Sequence, residues 1–130
     1  MSPENSNVAP ALTFPADQGV LNWASALRQC ELDDATLRDL AAVFLAECPK
    51  LLAEIQEAMT AGDAPKLRRA AHTIKGSAAL FEGLAATTAA RTLEECAKEK
   101  NFAAASAALP PLESALAQFT AALARHVQPT

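Results

Sequence analysis

Residues 63–83, DAPKLRRAAHTIKGSAALFEG, decide the reading of this chain. Leu67, Ala70, Ala71, Ile74, Ala78 and Phe81 step by three or four, which predicts a helix with a single apolar stripe. His72 lies two residues from Ile74, roughly 200° around the axis at 3.6 residues per turn, so its imidazole is expected in solvent. One turn away stand Arg68 and Arg69 on one side and Lys75 and Gly76 on the other. An imidazole is a competent nucleophile near pH 7, because its ordinary pKa lies close by. Attack on an activated phosphoryl group would leave a dianion on the ring, at a distance that Lys75 and Arg68 could screen. Gly76 removes bulk beside the ring, as close approach by another protein would require. The same pattern also describes a surface histidine on a basic helix face, and the residues alone leave both readings open.

Working outward, the other segments are helical too. Alanine dominates, aromatics make up 5% and Tyr is absent, a composition that favours helix over sheet. Between Asp34 and Ala61 the apolar positions are Leu37, Ala41, Phe44, Cys48, Leu51, Ile55 and Ala58, a long bundle helix with Pro49 inside it and a kink expected near Leu45 to Cys48. Asp33 is its expected N-cap, and Gly62-Asp63 the turn into the His72 helix. A further helix is expected from Leu84 to Lys98, with Ala86, Ala89, Ala90, Leu93, Cys96 and Ala97 inward. Arg91, Glu94, Glu95, Lys98 and Glu99 are placed outside, with Glu94 and Lys98 as an i,i+4 pair. The last helix runs from Phe102 to about His126 on a stripe of Ala105, Leu109, Leu112, Leu116, Phe119 and Leu123; Pro110-Pro111 either kinks it or splits it in two. His126 is expected at its frayed end, as a cation favourable to the helix terminus. A short helix from Trp23 to about Gln29, capped by Asn22, precedes them. The fold class is therefore all-α: an antiparallel four-helix bundle with a short extra N-terminal helix, spanning residues 20–127. Residues 1–19, with three prolines and no periodicity, read as a flexible lead-in.

Composition excludes several classes of function. At 130 residues the chain is one domain. A net charge of −4 argues against nucleic acid as a partner, since neutralising phosphates needs a broad basic surface. No apolar run approaches 18 residues and no signal peptide is present, so a soluble, cytoplasmic protein is expected, with no membrane partner. Cys30, Cys48 and Cys96 have no metal spacing and are expected as buried or half-buried free thiols.

The run AHTIKGSAALFEG resembles the signature of histidine-containing phosphotransfer (HPt) domains, a His-x-x-Lys-Gly-Ser core opening a segment of small residues. His72, Lys75, Gly76 and Ser77 match that core residue by residue. The resemblance continues through FLAECPKLLAEIQEAMTAGDAPKLRRAAH upstream and RTLEECAKEKN downstream, covering most of residues 20–126. It departs from the pattern in one respect. The family usually has a glycine four or five residues after the Ser, whereas here Gly83 comes one or two positions later, behind Ala79-Leu80-Phe81-Glu82.

The resemblance implies that His72 is a phosphoryl acceptor, with Arg68, Arg69, Lys75, Gly76, Ser77 and Ala79 meeting phosphate or partner. The implied partners are the receiver domains of response regulators or hybrid sensor histidine kinases, and the chain itself is expected to be a monomer. No cofactor is expected, with Mg²⁺ belonging to the partner receiver. The alternative is a non-catalytic adaptor module that docks a signalling partner through the basic face around His72. An enzyme is not expected: no second acid, base or metal constellation accompanies His72, and no P-loop or glycine-rich nucleotide loop is present.

Overall fold

The computed structural model describes residues 20–127; the lead-in expected over residues 1–19 lies outside them. Five helices follow in order: α1 (Trp23–Cys30), α2 (Asp34–Ala61), α3 (Ala64–Leu80), α4 (Leu84–Lys98) and α5 (Phe102–Val127). Connections of two or three residues force each of the four long helices to run back along its predecessor. Around the bundle α2 packs on α3, α3 on α4, α4 on α5, and α5 closes on α2. Among the described residues there is no strand.

The starts of α1, α2 and α3 have a local cause. Asn22, Asp33 and Asp63 accept hydrogen bonds from the backbone N–H groups of Ser25, Thr36 and Lys66, satisfying donors that the first turns leave free. Gly62, at φ 68°, ends α2 in the left-handed conformation that a residue without Cβ adopts most cheaply. α2 runs through Pro49 and α5 through Pro110-Pro111, so the last helix is one piece and not two. Both prolines of α5 are exposed, while Ala105, Leu112, Leu116, Phe119 and Leu123 stay buried on either side of them. Packing of that stripe outweighs the hydrogen bonds the prolines remove.

The core contains the predicted stripes almost residue for residue. All seven inward positions of α2 are buried, as are the six of the His72 stripe. Ala89 and Leu109 are only half-buried. Phe119 is the hub: its ring meets Phe44 edge-on at 5.7 Å and Phe81 at 6.1 Å. Gly83 is packed against this hub. A Cβ there would lie 2.6 Å from the Phe119 ring and 2.7 Å from the Val20 carbonyl oxygen.

That contact explains the displaced glycine. The left-handed exit of α3 is made by Glu82, at φ 59°. Its N–H bonds to the Ala79 carbonyl at 3.0 Å and the Gly83 N–H to the Ala78 carbonyl at 2.8 Å, the paired Schellman bonds. Glycine is spent one residue later, where the chain has no room for a side chain.

α1 is held to the end of the bundle by Trp23. Its indole lies parallel to Phe81 at 6.0 Å and to His126 at 4.4 Å, and its Nε1 donates to Asp34 Oδ1 at 2.8 Å. His126 is thus a stacked residue of the last turn, not a frayed one. The Trp23 hydrogen bond, with Arg38 beside it, holds the Asp34 carboxyl below the usual carboxylate range. Cys30 is half-buried, Cys48 and Cys96 buried, and all three are free.

Candidate functional site

His72 sits midway along α3, on the side away from the Ile74 stripe, and its side chain is 66% exposed. Arg68, Arg69, Gly76 and Ala79 share this outer face and are exposed; Ser77 is half-buried on its flank. Neither arginine has a carboxylate within ion-pair range among the described residues. Nothing lies within 4 Å of where a Gly76 Cβ would stand, so its lack of a side chain serves no packing purpose.

The sequence reading missed one participant. Glu94 of α4, expected outside and paired with Lys98, is buried at 4% exposure and turned toward α3. One carboxylate oxygen lies 2.9 Å from His72 Nδ1 and the other 2.6 Å from Lys75 Nζ. The expectation that no second acid accompanies His72 is therefore overturned. Lys75, expected to screen a phosphate on the ring, is paired with this carboxylate and half-buried. A signal was present: Ala86, Ala90, Glu94 and Ala97 step by four, four and three, which puts a carboxylate within the buried stripe of α4.

Electrostatics and geometry agree on the state of this group. The hydrogen bond from Lys75, then that from His72, hold the Glu94 carboxyl below its ordinary value against the opposing effect of burial. An ionised carboxylate only accepts, so His72 Nδ1 carries its proton on the Glu94 side. In the neutral ring the lone pair then lies on Nε2, at the exposed edge. The site is a nucleophilic nitrogen aimed at solvent, a buried anion behind it, and cations ahead of it along the same helix. Among the described residues no group of three or more His, Cys, Asp or Glu is arranged to hold a metal ion. Nor is any helix among them long and apolar enough to cross a membrane.

The molecule is thus an all-helical bundle that presents an exposed imidazole oriented from behind by a carboxylate. Residues 39–126, more than half of the chain, match the Hpt domain family, and the chain belongs to that family. Hpt domains are the helical phosphocarriers of two-component signalling. No curated protein and no solved structure matches the chain.

Proposed function

We propose that His72 carries a phosphoryl group and exchanges it with the aspartyl phosphate of response-regulator receiver domains or hybrid sensor kinases. The observation that supports this best is the Glu94 carboxylate on Nδ1, which leaves Nε2 as the reactive nitrogen. In the forward step the Nε2 lone pair forms the N–P bond while the P–O bond to the partner's aspartate breaks, returning a carboxylate. The ring keeps its Nδ1 proton and becomes cationic, and Glu94 is placed to offset that charge. Arg68 and Arg69 face the incoming phosphoryl oxygens; Lys75 reaches them by leaving Glu94.

His72, Lys75 and Glu94 come from one chain, so a monomer holds every group this step needs. Any Mg²⁺ belongs to the receiver. Beside α3, exposed Leu40 and Val43 of α2 flank Thr73 and Ser77, and they form the apolar fringe on which the receiver rests.

The test is incubation with a receiver phosphorylated on its aspartate. The chain should acquire a label that acid removes and alkali does not, and His72→Gln should acquire none. Labelling of the His72→Gln variant would sink the assignment. Tight docking of the receiver without any label on the native chain would favour an adaptor.

A further inference from the structure

The pairing of Glu94 with α3 fixes which side of α4 borders His72. At roughly 100° per residue, Ala90, Leu93 and Ala97 turn inward from Glu94 and are buried. Turning the other way, Lys98 comes roughly 40° and Arg91 roughly 60° beyond Glu94, and both are exposed. Glu95 and Glu99 lie farther round, at roughly 100° and roughly 140°, and so farther from α3. The two cations therefore form the outer edge of α4 next to the site. They stand about 10 Å apart along the axis, with Glu94 between them. Because α4 runs antiparallel to α3, Lys98 lies alongside Arg68, and Arg91 alongside Lys75 and Ala79. The pair brackets the level of His72.

Neither cation has a carboxylate within ion-pair range among the described residues. Lys98 stands one turn from Glu94, but that carboxylate is taken by His72 and Lys75, so the local pairing is lost. The opposite edge of the site differs. There Leu40 and Val43 of α2 are exposed beside Thr73 and Ser77. The one charged residue among those lining that groove, Glu47, is matched by Lys50 at 3.7 Å. His72 thus stands between a cationic edge on α4 and an apolar edge on α2.

We infer that Arg91 and Lys98 are the charged half of the docking surface, meeting carboxylates on the receiver's rim and so setting the orientation in which the receiver lands. The inference rests on the phosphoryl-carrier reading of His72. A receiver that holds Mg²⁺ beside its aspartyl phosphate must surround the ion with oxygen ligands, carboxylates among them, so the face that approaches His72 is anionic. Cations at the border of such a contact speed the encounter. They also disfavour the reversed pose, in which the receiver's carboxylates would lie on the apolar α2 edge and its apolar surface on the cations. The α2 edge supplies contact area without charge.

The experiment compares two phosphoryl donors on the full chain. Phosphoramidate is a small donor that needs no docking: Nε2 forms the N–P bond as the donor's P–N bond breaks and ammonia leaves. It should label the native chain, Arg91→Glu and Lys98→Glu at rates within about twofold of one another, which also shows that each variant is folded around His72. A receiver phosphorylated on its aspartate should label each variant at least about tenfold more slowly than the native chain at low salt, with the deficit shrinking at high salt. Val43→Ala should slow transfer from the receiver alone, by a factor that salt leaves unchanged. Arg28→Glu on α1 makes the same change of net charge and should leave both rates as they are. Transfer from the receiver at the native rate by both α4 variants would overturn the inference. So would an equal deficit in Arg28→Glu, which would trace the effect to net charge, or a Val43→Ala deficit that salt erases. An equal loss with phosphoramidate would overturn it too, by placing the cations on the phosphoryl group itself. A native chain that neither donor labels would overturn the carrier reading, and the docking surface with it.

Discussion

A buried carboxylate with both oxygens engaged makes Glu94 sensitive to pH in one direction. Its folded-state pKa is depressed, so the stability it contributes is fully present above its ordinary value of 4.5 and is lost as pH falls below that value. Glu94→Gln should destabilise the chain by about 1 kcal/mol at pH 7, the scale of a charge-assisted hydrogen bond whose partners are partly exposed. The gap between native and variant should shrink in urea melts at pH 3.5. A gap of equal size at both pH values would mean that the carboxylate's charge does nothing for folding. His72→Gln, by contrast, should shift stability by no more than about 0.5 kcal/mol, since the side chain is exposed and the amide can still donate to Glu94. A larger loss on thermal melting would show that the ring is structural. This scale was only partly legible in the sequence. The outward face of His72 follows from helical period alone. Glu94 comes from another helix 22 residues on, and periodicity within one helix cannot say which neighbour a side chain meets.

The helices themselves were legible nearly to the residue, because caps and stripes are local. Asn22, Asp33 and Asp63 act through N–H groups three residues ahead, and the stripes of α2 and α3 need no knowledge of their neighbours. What was not legible is why Gly83 stands late. Its cause is the Phe119 ring, 36 residues away in sequence, and no local pattern contains it. Two substitutions at adjacent positions separate the roles. Gly83→Ala should cost about 2–3 kcal/mol, because the new Cβ meets a fully buried ring and a backbone oxygen that cannot both give way. Glu82→Gly should raise stability by about 1 kcal/mol, because a residue with a Cβ is strained at φ 59°. Chemical denaturation of the pair checks both signs, and a stabilised Gly83→Ala would mean that α3 and α4 can separate at this turn. The two prolines of α5 teach the converse. Local rules predict an interruption there, and a continuous buried stripe overrides them.

At the scale of the molecule, a chain of net charge −4 presents cations on the face to which we propose a phosphorylated partner comes. Arg68 and Arg69 are both exposed, so their attraction is screened by salt: the Debye length falls from about 10 Å at 0.1 M to about 3 Å at 1 M. Arg68→Ala with Arg69→Ala should slow transfer from a phosphorylated receiver several-fold at low salt and little at high salt; a deficit independent of salt would point to a geometric role instead. Gly76 tests approach rather than attraction. It stands one turn past His72 with open space where its Cβ would be, so any side chain there projects beside Nε2, along the path proposed for a partner's aspartyl phosphate. Gly76→Ala should stabilise α3 by about 1 kcal/mol, since glycine in a helix interior is unfavourable by that amount and no neighbour is struck. Gly76→Gln should keep most of that gain while lowering the transfer rate at least tenfold through occlusion. Melting temperature and transfer rate are measured on the same preparations. Normal transfer by a well-folded Gly76→Gln protein would refute the occlusion argument. A fall in Tm for Gly76→Ala would show instead that the glycine serves the packing of the helix.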